Sequence, residues 1–284
     1  MEMWRKESCG TRRLIMIKDT LKMFWYYSKT SLNSRLQYKV DAILTAIGLF
    51  FTQITEVVAI YFMLKKFHNI NGWNLNELLF LFSILFLTYG IFIIFFAGLR
   101  DFRYRIIDGA FDRMIIRPRG VLFQLISVNS DWLAAFGYGG LGLMLLILTA
   151  NNVNMVWNIQ NILYYVLVII NGVLIQGAMY LFFSSLRFFF VEVDNLINLT
   201  FYNMRDFAKY PISIFNKGIQ FILIYIVPFA FLNYFPCEYL LRKADMAQYP
   251  EVYMYIAPFV GVGMYVLAYL FWRFSLKYYK STGN

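Results

Sequence analysis

Thirteen residues, DGAFDRMIIRPRG at positions 108 to 120, gather Arg113, Arg117 and Arg119 with Asp108 and Asp112 in a chain that is otherwise mostly apolar. Guanidinium groups pair strongly with carboxylates and phosphates. The stretch therefore suits contact with acidic groups of a partner or with lipid phosphates. Other chemically capable side chains lie inside apolar runs: Gln53 and Glu56, then Asn171 and Gln176. A carboxylate within hydrocarbon needs a partner or water, so Glu56 is a candidate either for lining a polar path or for a structural bond between helices.

Bond-making chemistry has few parts here. No G-x-x-x-x-G-K-[ST] phosphate loop occurs, nor H-E-x-x-H, nor G-x-S-x-G, so nucleotide hydrolysis, zinc hydrolysis and serine catalysis lack their usual residues. The single histidine, His68, falls in an expected external loop, and Cys9 and Cys237 are far apart. Neither a metal site nor a disulfide framework follows.

The elements that must carry these residues are set by composition. Of 284 residues, 60% are hydrophobic, 20% aromatic and 15% charged, well below the roughly 25% charge of soluble domains. Several apolar runs reach the roughly 18 residues that a helix needs to cross a bilayer. The net charge of +10 comes from cations that flank those runs, which is an orientation signal of membrane proteins and speaks against nucleic-acid binding. The basic N-terminus is not followed by a short apolar core with a cleavage site, so no signal peptide is expected.

Residues 1–39 are expected to be cytoplasmic or interfacial. Within them Leu14, Ile17, Leu21, Trp25, Leu32 and Leu36 share a helical face flanked by cations, the pattern of a helix lying in the headgroup region. Spans are expected at about 40–64, 77–99, 132–150, 159–184 and 254–276. Two segments compete to be the remaining crossing. Residues 187–207 form an amphipathic pattern with Phe189, Phe190, Val193, Leu196, Ile197, Phe201 and Met204 on one arc and Asn195, Asn198 and Arg205 among the rest; residues 218–235 form an apolar run containing Pro228. Hydropathy alone favours 218–235.

Cations crowd the N-terminal segment, the 100–131 loop and the C-terminus, whereas the loop NNVNMVWN has none. Both termini are therefore expected in the cytoplasm, which requires an even number of crossings, six in all. Arg242 and Lys243 fall outside against this trend.

The pattern R-x-x-x-G-x-F-D-R-x-x-x-R-P from Arg105 to Pro118 resembles the coupling loop of ABC type-2 transporter permeases, through Gly109, Phe111, Asp112, Arg113, Arg117 and Pro118. A second likeness lies in residues 207–241, where Tyr210 with Pro211, then Pro228, then Phe235 with Pro236 are similar to the segment before the last span in the six-span branch of that family.

The resemblance implies an all-α polytopic permease with six transmembrane helices, an N-terminal interfacial helix, a cytoplasmic coupling helix and an external re-entrant segment. It implies that 187–207 crosses as the fifth span, leaving 208–253 external with a re-entrant run at 218–235 whose turns use Tyr210, Pro211, Pro228 and Pro236. It also implies a separate ABC ATPase subunit in two copies, which carries the ATP and Mg that this chain does not bind, and a second permease subunit as homodimer or heterodimer. Residues Arg105, Gly109, Phe111, Asp112, Arg113, Arg117, Pro118 and Arg119 would couple to that ATPase, and Gln53, Glu56, Asn195 and Asn198 would line the path. The implied activity is export of a drug, antimicrobial peptide or other amphipathic compound across the cell membrane. Two rivals remain: a secondary transporter driven by an ion gradient, and a non-transporting membrane assembly or immunity protein.

Overall fold

A computed structural model describes residues 2–67, 69–153, 155–190, 192–243 and 249–281. Side chains of residues 2–17 and of Phe67 are not described, so Cys9, His68 and the first stripe positions, Leu14 and Ile17, lie outside the described residues. The described chain is helical without a strand: α1 (Glu2–Leu36), α2 (Lys39–Phe67), α3 (Leu75–Arg100), α4 (Phe102–Ile107), α5 (Ala110–Ile115), α6 (Val121–Val128), α7 (Trp132–Ala150), α8 (Ile159–Leu186), α9 (Asp194–Ile197), α10 (Met204–Phe207), α11 (Lys217–Phe221), α12 (Tyr234–Leu241) and α13 (Val252–Ser275). It is an all-α multi-pass membrane architecture.

Five stretches are long and apolar enough to cross a bilayer among the described residues: Lys39–Lys66, Leu75–Ile107, Trp132–Ala150, Ile159–Leu186 and Val252–Tyr278. Three of their starts are capped by side chains. Asn74 and Glu77 form a reciprocal capping box at α3, Asp131 accepts from the Ala134 amide at α7 (3.2 Å), and Asn158 accepts from the Asn161 amide at α8 (2.8 Å). Each cap satisfies backbone donors that no helical turn can reach. Lys243 pairs with that same Glu77 and sits 4.7 Å over the Trp73 ring. A cation held by a carboxylate and a ring is a weak orientation signal.

α3 forms the centre, packed between α7 and α8, with α2 outside α7 and α13 outside α8. In hydrocarbon such packing rests on close contact of small residues more than on water exclusion. At Gly90 of α3, a methyl group would lie 2.7 Å from the Gly139 nitrogen of α7, closer than atoms tolerate. Asn171 of α8, fully buried, donates to the Phe231 carbonyl (3.0 Å) and accepts from the Gly261 amide of α13 (2.6 Å). One amide side chain thus ties three elements together and meets the demand that buried polar groups be bonded.

α1 packs on the bundle through Phe24, which stacks on Phe95 (5.3 Å), Ser28, bonded to Ser130 (2.6 Å), and Arg35, paired with Asp131 (3.0 Å). Leu21, Trp25 and Leu36 of the apolar stripe stay exposed. Leu32 is half-buried, and Trp25 meets Trp132 edge-on at 6.3 Å.

In the contested region, the described helix of the 187–207 segment runs Asp194–Phe207 as α9, a π-helical turn Asn198–Asn203, and α10, about 21 Å in length. Val193, Ile197, Phe201 and Arg205 are all buried. On an unbroken α-helix Arg205 would lie about 120° round from Val193. The wider π turn keeps Arg205 on the buried face. Downstream, Lys217–Ile226 and Phe229–Leu241 meet at 73°, and the pair counts as a sixth apolar stretch if taken as one broken span. Pro228 stands at that break. Pro236 is buried in the first turn of α12, where a missing N–H goes unmissed. Tyr210 is half-buried, and buried Pro211 opens the short turn Ile212–Ile214; Asn233 donates to the Ala208 carbonyl (2.7 Å), closing the segment on itself.

Candidate functional site

The insert between α3 and α7 folds as three short helices. Gly109 joins α4 to α5 at φ 62°, in the left-handed region where a side chain is strained. The turn sends Phe111 inward. Its ring meets Phe102 (5.0 Å), Phe188 (5.8 Å) and Tyr279 (4.8 Å), and Trp272 closes the cluster against Phe102 and Phe188. Aromatic pairs at such spacings add to the packing of their buried surface. α5 is thereby fastened to the ends of α8 and α13.

Asp112 faces the same way. It accepts from the Tyr279 hydroxyl (2.8 Å) and from Ser281 Oγ (2.8 Å). Burial, reinforced by that bond to Asp112, pushes the Tyr279 phenol up to about 12, so it remains a proton donor. Gln124 of α6 donates to the Met114 (2.8 Å) and Arg119 (2.9 Å) carbonyls, pinning the other end of α5.

The opposite face is free. Arg113, Ile115, Ile116, Arg117, Pro118 and Arg119 are exposed, Ile116 at 83%. Among the described residues the three arginines have no ion-pair partner. α5 ends at Ile115, ahead of Pro118. Arg105, on α4, is half-buried, with its Nε lacking a hydrogen-bond partner. Apart from Arg105, the residues of this motif thus divide: Gly109, Phe111 and Asp112 hold α5 in place, while Arg113, Arg117, Pro118 and Arg119 form a basic surface around exposed isoleucines. Such a surface matches a partner with an apolar pocket and an acidic rim.

A second polar set lies along α2, α3, α7 and α10. Glu56 forms an ion pair with Lys209 (2.7 Å), too oblique for a hydrogen bond, and Lys209 also pairs with Asp206 (2.7 Å). The Lys209 side chain is 9% exposed. Gln53, one turn before Glu56, is buried with Oε1 unpartnered. Arg205 lies 3.8 Å from the centre of the Tyr89 ring and 5.8 Å from that of Tyr138, with Nε and Nη1 unpartnered. A guanidinium held on ring faces keeps its charge with little water.

Asn195 and Asn198 are exposed nearer the other end of the α9–α10 run. Asn198 lines a cavity of about 350 Å³ with Arg100, Arg103 and Asp194. The four suggested path residues therefore form two groups, Gln53 with Glu56 and Asn195 with Asn198. Arg205 is legible in the sequence as a polar position of the 187–207 pattern, but its tyrosine partners, and the Glu56 partner of Lys209, come from distant sequence.

A family profile described as ABC-2 family transporter protein matches residues 50–283. No curated protein matches the chain, and no solved structure does.

Proposed function

The chain belongs to the ABC-2 transporter family, as a multi-pass transmembrane permease component distinct from the ATPase, and from that premise we propose that it exports an amphipathic compound, a drug or an antimicrobial peptide among them, under the drive of a separate ATPase. Two copies of that ATPase, holding ATP and Mg, dock on two permease subunits that flank the path, either as a homodimer or as a related pair. Both termini lie in the cytoplasm and the membrane is the cell membrane. The Asp194–Phe207 run belongs to the fifth crossing, and residues 218–235 re-enter from outside.

The observation that carries this reading is the division of the α4–α6 insert into an anchored face and a free basic face. Phe111 and Asp112 transmit displacement to the ends of α8 and α13 because they are packed and bonded there. Arg113, Arg117 and Arg119 remain available for acidic groups of the ATPase. Substrate contact falls to Gln53, Glu56 and the Arg205 cluster, with Asn195 and Asn198 nearer the coupling end.

Membership of an ABC transporter family speaks against both an ion-gradient carrier and a non-transporting protein. The ion pair between Glu56 and Lys209 also leaves no free carboxylate at that position for a gradient-driven carrier. The test is co-purification with the partner ATPase: Arg113→Glu with Arg117→Glu should abolish it while membrane insertion persists. Unchanged co-purification would refute the docking surface.

A further inference from the structure

α4, the end of α8 and the C-terminal segment enclose a cavity of about 570 Å³, within the range of small-molecule sites. Its charged lining is Arg103, Arg187 and Lys280, and no carboxylate lines it among the described residues. Arg103 and Arg187 share one carboxylate, Asp194, which belongs to the neighbouring cavity and does not line this one. Glu192 also acts on Arg103, so among the described residues the three cations face two carboxylates, which leaves the cavity electropositive.

Arg187 carries the strongest sign of a missing ligand. Its side chain is 4% exposed, and one nitrogen, Nη2, reaches Asp194 at 2.5 Å. Nε and Nη1 are buried without a hydrogen-bond partner among the described residues. A guanidinium has five N–H donors and cannot shed its charge, and buried polar groups left unbonded are costly. Those two nitrogens are out of solvent contact, so an anion in the cavity would answer the charge of the guanidinium without bonding them directly.

The rest of the wall is apolar and leads somewhere. Phe189 packs on Tyr278 (5.5 Å) and on Phe271 (6.4 Å), and Phe271 packs on Phe182 (5.2 Å). Phe182 and Phe271 line a second cavity of about 530 Å³ between α8 and α13, and its lining is almost wholly apolar. A row of rings thus runs from the wall of the cationic pocket to the wall of the apolar groove.

We propose that this paired cavity binds an anionic phospholipid, with the phosphate ester on Arg187, Arg103 and Lys280 and an acyl chain along Phe189 and Phe271 into the groove. A zwitterionic headgroup fits poorly, because the described lining offers three cations and no carboxylate to its ammonium. Free phosphate shares the headgroup chemistry but makes no use of the groove. Tyr279 also lines the pocket while bonded to Asp112, so the lipid sits against the joint that holds α5. The proposal does not depend on the ATPase.

The test is ligand titration of the purified full chain in detergent, read by native mass spectrometry and by thermal unfolding. Phosphatidylglycerol should bind at least about tenfold more tightly than phosphatidylcholine. Lys280→Gln, at an exposed position, should weaken phosphatidylglycerol about fivefold, matching the ~1 kcal/mol that a basic residue contributes at an anionic surface. Phe189→Ala should weaken it too, without changing the response to inorganic phosphate. Arg187→Gln should remove the headgroup preference where it folds. Equal binding of the two lipids by the wild-type chain, or unchanged affinity in Lys280→Gln, would overturn the site. Stabilisation by inorganic phosphate equal to that by phosphatidylglycerol would assign the pocket to free phosphate and overturn the lipid.

Discussion

Tyr279 donates its hydroxyl hydrogen to Asp112 across 2.8 Å, joining residues 167 positions apart and tying the C-terminal segment to α5. Its ring packs on Phe111 in the same contact. Motion imposed on α5 must therefore reach the end of α13.

Tyr279→Phe should keep the ring packing and lose the bond, lowering stability by about 1 kcal/mol, with faster hydrogen exchange in residues 110–115. Asp112→Ala should do more, since the bond from Ser281 Oγ to Asp112 is lost as well. The phenol is raised from its ordinary 10 to about 12, so the folded state holds this proton more tightly. The contribution is fully present below about pH 10 and is lost as pH rises toward 12. Hydrogen exchange in α5 that shows no step over that window would contradict the contact.

Gly109→Ala should strain the α4–α5 turn by roughly 1–2 kcal/mol, since Gly109 occupies left-handed backbone at φ 62°. Gly109→Asn should cost less, because asparagine tolerates that region. In the reconstituted transporter, ATPase stimulation by substrate should fall in the same order. Equal effects of the two variants would mean that the turn geometry is not what matters.

Tyr89→Leu should remove the ring beneath Arg205 and lower thermal stability by about 1–2 kcal/mol, whereas Tyr89→Phe should retain most of the contact. Arg205→Lys should resemble Tyr89→Leu, because an ammonium does not stack as a planar guanidinium does. If Arg205 serves the path, transport falls in Arg205→Lys while ATPase assembly is kept. Transport at the wild-type rate would limit Arg205 to a structural role.

The proposed topology predicts labelling of Lys217→Cys from outside, in a background with Cys9→Ser and Cys237→Ala. Lys217 is exposed, while the hydroxyl of nearby Ser213 is buried, so Lys217 is the better reporter. Labelling that requires permeabilised membranes would place residues 208–217 on the cytoplasmic side and make 218–235 a crossing.

The long apolar runs by themselves determined the all-α multi-pass class, because an apolar stretch of about 20 residues has few other stable fates in a bilayer. The motif from Arg105 to Pro118 and the proline-marked segment 207–241 together carried the resemblance to the family, since their positions are local in sequence, and the profile over residues 50–283 shows that family. Tertiary structure alone decided the rest. It turned Phe111 and Asp112 inward and left Arg113 and Arg117 outward, because the partners Phe188 and Tyr279 come from the ends of other helices. It also set Arg205 on Tyr89, through a π turn that no regular helical wheel contains. Hydropathy is a property of one segment, whereas the neighbour of a buried charge is chosen by how several segments pack.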